Sequence, residues 1–73
     1  MKNNIKVQRA MKDLTQEQLA HLVNVSRQTI MAIEKEKYVP STVLSLKIAS
    51  IFQKPVDEIF KLEDNDWQSK ASE

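Results

Sequence analysis

The chain has 73 residues, a formal net charge of +1, no cysteine and no glycine. That length holds one domain with a modest core, which no disulfide or thiolate metal site can staple. The absence of glycine excludes a Walker loop and a dinucleotide fingerprint, because both need glycine where the backbone approaches phosphate closely.

In chain order the sequence reads as helix after helix, with no sustained period-two alternation, so the expected fold class is all-α. The first helix is expected from about Asn4 to Lys12, with Asn3 or Asn4 as its cap and a weak apolar pattern of Ile5, Val7, Ala10 and Met11. Asp13 lies in the turn that follows. Thr15-Gln16-Glu17-Gln18 fits a capping box and opens the second helix, about 15–22. Leu19, Leu22 and Val23 share one face of it, with Ala20 beside them. Asn24 breaks the pattern and tolerates a left-handed conformation. Ser26 caps the third helix, about 26–35. Ile30 and Ile33 share one face of it, while Arg27, Gln28, Met31 and Lys35 share the opposite side.

Pro40 ends the connector that begins at Tyr38, and Ser41 caps a fourth helix through about Phe52. Ser45, Ile48, Ala49 and Phe52 form its inner stripe, with Leu44 and Ile51 as a second stripe beside it. Pro55 opens a short fifth helix that ends near Phe60. The domain is therefore drawn over residues 1–62. Residues 63–73 form an acidic tail, expected to be mobile, in which Trp67 stands as a lone aromatic. Charge divides the same way. Residues 1–56 hold nine Lys and Arg against Asp13, Glu17, Glu34 and Glu36, while residues 57–73 hold six acids against Lys61 and Lys70. A basic body of this kind suits a polyanionic partner, although a solvated surface with a soluble tail has the same composition. No leader peptide and no long apolar run stand out, so a soluble, cytoplasmic protein with no membrane association is expected.

The second and third helices are joined by only Val23-Asn24-Val25, and each has its own cap. So short a turn makes the helices cross steeply. Leu19, Val23, Val25, Ile30 and Ile33 would lock the crossing, and the outer face of the third helix would be free to enter a major groove about 12 Å wide. These residues carry a resemblance. Leu14-Thr15-Gln16-Glu17-Gln18-Leu19-Ala20, Val23 through Ile30, Ile33-Glu34, Lys37-Tyr38 and Pro40-Ser41 resemble the Cro/repressor-type (XRE) helix-turn-helix family. The likeness spans about Asn4 to Leu62. It implies a five-helix DNA-binding domain, in some small relatives with paired terminal strands, here Met1 to Ile5 against Phe60 to Trp67. Three positions depart from the family pattern. Asn24 stands where Gly is usual, Lys35-Glu36 where Asn-Gly is frequent, and Gln8 where Leu is frequent. Left-handed geometry at such residues costs roughly 1–2 kcal/mol each, so the third helix is expected to run on somewhat.

The resemblance also implies roles. Ser26, Arg27 and Gln28 align with positions that meet base edges, where Arg suits guanine and Gln suits adenine. Met31 suits either a thymine methyl or an internal gap. Thr15 and Gln16 align with backbone-contacting positions at a helix N-terminus, and Thr15 serves as cap, phosphate contact or both. Lys35, Lys37 and Tyr38 align with backbone contacts on the other side. Arg9 and Glu34 match an internal ion pair. Leu44, Ile51, Val56 and Ile59 are candidates for a dimer surface, or ordinary core.

Among function classes, an enzyme is not expected. There is one histidine, His21, no cysteine and no compact acidic cluster outside the tail, and neither metal nor cofactor is called for. The leading expectation is a DNA-binding transcriptional regulator, a repressor that occupies a pseudo-palindromic operator as a homodimer without a small-molecule effector. The alternative is a protein-interaction module, such as the antidote half of a toxin–antidote pair, to which the tail and Trp67 would belong.

Overall fold

A computed structural model describes residues 1–68. The element order is β1 (Lys2–Asn3), α1 (Ile5–Met11), α2 (Gln16–Val23), α3 (Arg27–Glu34), α4 (Thr42–Phe52), a 3₁₀ turn (Val56–Glu58), β2 (Phe60–Lys61) and α5 (Asp64–Trp67). The fold is all-α apart from one small antiparallel pairing of the termini, with Lys2 opposite Lys61 and Asn3 opposite Phe60. No helix among the described residues is long and apolar enough to cross a membrane.

Local chemistry explains where the helices begin. Thr15 Oγ1 accepts from the Gln18 N–H at 3.0 Å, and Gln18 Oε1 accepts from the Thr15 N–H at 2.9 Å, closing a reciprocal capping box on α2. Ser26 caps α3 by accepting from the Thr29 N–H, and Ser41 caps α4 by accepting from the Leu44 N–H. The first helix differs from expectation. Asn4 bounds it, but its side chain makes no cap bond and instead donates to the Glu58 carbonyl. Asn3 accepts from the Ile5 N–H and donates to the Ile33 carbonyl at 2.8 Å, tying the N-terminus to the end of α3.

All four main helices end in one way, although no glycine is available. Asp13, Asn24, Glu36 and Gln53 each take positive φ, between 55° and 64°. After each, the next N–H reaches back five residues: Leu14 to Arg9, Val25 to Ala20, Lys37 to Ala32 and Lys54 to Ala49. This is the Schellman closure, which satisfies carbonyls that a helix end would leave orphaned. So α3 does not run on. It stops at Glu34, and Glu36 accepts the left-handed geometry.

The core is continuous. Leu19, Ala20 and Val23 from α2 meet Ile30 and Ile33 from α3, and Ile48, Ala49 and Phe52 from α4, with Ile5, Ile59 and Phe60 beneath. Each buried large side chain contributes roughly 1.5–3 kcal/mol. Gln8 is also buried, on α1. The expected fifth helix from Pro55 to Phe60 is only a 3₁₀ turn, because Asn4 N–H bonds the Ile59 carbonyl and draws the chain into β2. Ile59 is wholly enclosed and Leu44 is 8% exposed. Both therefore belong to the core rather than to a dimer surface, whereas Ile51 and Val56 remain half-buried.

The start of the expected mobile tail is likewise built. Asp66 accepts from the Glu63 N–H at 2.7 Å, and the Met1 ammonium lies 3.0 Å from Glu63 Oε1 and 3.2 Å from Asp66 Oδ2. Trp67 ends this turn, 76% exposed. The rest of the tail, 69–73, lies outside the described residues.

Two outcomes follow. Glu36→Gly removes the steric penalty of left-handed geometry but loosens the unfolded chain, so stability should rise by about 0.5–1 kcal/mol in urea unfolding. A loss would mean that Glu36 does not hold positive φ in solution. The α5 attachment should also depend on pH. Hydrogen bonding to Glu63 first, and to Asp66, raises the Met1 ammonium above its ordinary 8.0. Its stabilisation is therefore present below pH 8.0 and lost as pH climbs through the raised value. The Glu63 N–H bond first, then Met1, holds Asp66 below its ordinary 3.8, so that contribution is lost as pH falls through the lowered value. Amide resonances of residues 63–67 should report attachment between those limits and release outside them. Shifts that stay constant into strong alkali would contradict the clamp.

Candidate nucleic-acid interface

The crossing of α2 and α3 organises the candidate surface. The two helices pack on each other more extensively than any other pair, and Leu19, Val23, Ile30 and Ile33 close the seam with half-buried Val25 at the turn. With Ile30 and Ile33 inward, helical spacing places Arg27, Gln28 and Met31 toward the other side. Arg27 and Gln28 are exposed, and neither makes a hydrogen bond or ion pair with another described side chain. Met31 is half-buried. Ser26 is exposed but occupied: its Oγ caps α3 and lies 3.1 Å from Thr29 Oγ1.

Backbone-facing candidates flank this helix. Thr15 is exposed at the N-terminus of α2, where free N–H groups and the helix dipole favour an anion. An open cleft beside it is lined by Arg9, Asp13, Thr15, Gln16, Glu17 and Arg27, which brings the start of α2 and the start of α3 to one concave surface. Lys35, Lys37 and Tyr38 are all exposed past the other end of α3. Tyr38 leads into Pro40, which is buried and fixes the connector against the body.

One polar cluster joins the parts. Arg9 Nε donates to Glu34 Oε2 at 2.7 Å, and an Arg9 terminal nitrogen donates to Glu34 Oε1 at 3.2 Å, giving a bidentate pair. The two side chains are 13% and 8% exposed. The other terminal nitrogen of Arg9 donates to the Leu14 carbonyl at 2.9 Å, just ahead of the Thr15 cap. Gln16 Nε2 donates to Glu34 Oε1 at 3.0 Å. The sequence points to the Arg9–Glu34 pair through the family likeness alone. The bonds to Gln16 and Leu14 carry no local signal, because they depend on how three elements converge. The pair is buried enough that removing one member leaves a desolvated charge. Arg9→Met should therefore cost about 3 kcal/mol in thermal or urea unfolding. A loss below about 0.5 kcal/mol would make it an ordinary surface pair.

Comparison with known proteins agrees with this geometry. The helix-turn-helix family matches residues 5–59. An uncharacterized HTH-type transcriptional regulator of Methanocaldococcus jannaschii is 53% identical over 66 residues, covering 90% of this chain and all of that protein. The uncharacterized HTH-type transcriptional regulator YgzD of Bacillus subtilis is 47% identical over 64 residues, covering 88% of this chain and 97% of its own. An uncharacterized HTH-type transcriptional regulator of Archaeoglobus fulgidus is 41% identical over 71 residues, covering 96% of this chain and the whole of that one. With its short-turned pair of capped helices and their exposed outer face, the chain belongs to the helix-turn-helix family of transcriptional regulators.

Proposed function

We propose that the protein is a sequence-specific DNA-binding repressor, acting in the cytoplasm as a homodimer on a pseudo-palindromic operator. The observation that carries this reading is the exposed start of α3, where Arg27 and Gln28 stand without partners among the described residues beside an anion-favouring α2 N-terminus. In the proposed complex α3 enters the major groove. Arg27 reads guanine through O6 and N7, and Gln28 reads adenine through N6 and N7. Met31 offers an apolar contact for a thymine methyl, and Ser26 fixes the start of the helix while its hydroxyl faces the groove. Thr15 and Gln16 hold one stretch of backbone, and Lys35, Lys37 and Tyr38 hold another.

Two copies bind half-sites about 34 Å apart. Of the apolar residues considered for pairing them, Ile51 and Val56 keep accessible surface and are the proposed contacts. Repression follows from occupancy alone, so neither catalysis nor a small-molecule effector is required.

Selection of duplexes from a random library at about 150 mM salt, followed by sequencing, tests this. An enriched pseudo-palindrome with half-sites about 10 base pairs apart is expected. Arg27→Ala should then cost about 1–3 kcal/mol on that site and relax one position. Lys37→Ala should weaken all duplexes alike and flatten the salt slope by about one. No enrichment would favour the protein-interaction reading, whose support is the exposure of Leu62 and Trp67 around α5.

A further inference from the structure

Gln16 is both a proposed backbone contact and a member of the half-buried polar cluster around Arg9 and Glu34. Its Nε2 carries two hydrogens. One is directed to Glu34 Oε1 at 3.0 Å, and the other has no partner among the described residues. Glu34 is itself clamped on Arg9 by two hydrogen bonds, and Arg9 also holds the Leu14 carbonyl. One guanidinium therefore fixes the turn from which α2 starts, and through Glu34 it fixes the first side chain of that helix.

We infer that the Arg9–Glu34 pair is a positioning device for DNA-backbone binding, acting through Gln16; this rests on the DNA-binding reading above. Two physical consequences support it. A glutamine free in solvent loses side-chain rotamer freedom when it binds, whereas here folding already removes most of it, so the second hydrogen is presented in one direction. A carboxylate next to a phosphate site would repel the ligand. The bidentate guanidinium cancels that charge while leaving Glu34 Oε1 able to accept from Gln16. The pair thus supplies an anchor for a neutral donor without adding negative charge to the surface. A plain staple between α1 and α3 would need neither Gln16 nor the Leu14 carbonyl.

The test is a double-mutant cycle on the full chain, with Gln16→Met, Glu34→Gln and both together. Binding to the selected duplex is followed by fluorescence anisotropy at a temperature where circular dichroism shows every variant folded. Gln16→Met leaves the ion pair in place and should weaken binding about tenfold, the loss expected for one hydrogen bond to a charged acceptor. Glu34→Gln keeps the shape but weakens the grip on Arg9. It should weaken binding several-fold in the native background and hardly at all when Gln16 is already Met. Equal losses in both backgrounds, or unchanged binding by Gln16→Met, would overturn the positioning role while leaving DNA binding intact. Absence of binding to any duplex, selected or random, would overturn both readings. Should Glu34→Gln not fold, nitrogen-15 relaxation of the Gln16 side-chain amide in the unmodified protein decides. Order comparable to the backbone is expected, and an amide averaged by free rotation would refute the anchor.

Discussion

The turn Asn24-Val25-Ser26 sets the relation between α2 and α3, and most of the surface depends on it. Asn24 turns left-handed at φ 64°, which lets the Val25 N–H reach the Ala20 carbonyl and ends α2 within one residue. Ser26 then caps α3 at once. Because an α-helix turns about 100° per residue, the length of this turn fixes which side of α3 faces the core. One additional residue without compensation would swing Ile30 and Ile33 out of the seam and carry Arg27 and Gln28 with them. The exposed face is thus a consequence of backbone closure as much as of the side chains on it.

The same closure recurs after α1, α3 and α4 in a chain that has no glycine. Aspartate and asparagine tolerate left-handed geometry better than most residues, so Asp13 and Asn24 are inexpensive choices. Glu36 and Gln53 are not, and their persistence reflects what surrounds them. Stopping α3 at Glu34 keeps its carboxylate on Arg9, and stopping α4 lets Ile59 and Phe60 pack beneath it. Tertiary packing over-determines these two residues and holds them in a conformation their side chains disfavour.

What the sequence makes legible divides along the same line. Caps at Thr15, Ser26 and Ser41 are local patterns of a few residues, and each appears where its spacing places it. The inner stripe of α4 is legible for the same reason, since Ser45, Ile48, Ala49 and Phe52 follow helical spacing. The segment after Pro55 was not. Its strand is selected by the Asn4–Ile59 bond, between residues far apart in sequence, and Val56-Asp57-Glu58-Ile59-Phe60 is too short for its apolar spacing to separate helix from strand. Nor could apolar character alone sort core from contact surface: Ile51 and Ile59 are the same residue type, yet one is half-buried and the other enclosed. The clamp on Gln16 was hidden because glutamine at a helix start reads as a solvated side chain until Glu34 arrives from another helix.

Charge bears on how such a surface would discriminate among DNA sequences. Residues 1–56 hold four acids, and none of these is remote from the candidate interface. Glu34 is neutralised by Arg9, Asp13 and Glu17 line the cleft that holds Arg27, and Glu36 stands between Lys35 and Lys37. A surface mixed in this way attracts a polyanion less than its Lys and Arg alone would. Counterion release, which drives sequence-independent binding, grows with the number of phosphates neutralised by Lys and Arg. In the proposed complex more of the affinity must therefore come from fixed donors of low charge: the N–H groups at the start of α2, the anchored amide of Gln16, and base contacts on α3. Those interactions need correct geometry and are lost when the duplex is out of register. Acids beside the basic residues thus lower binding to arbitrary DNA more than binding to a matched site, and the ratio of the two is what a regulator of this size has to maximise.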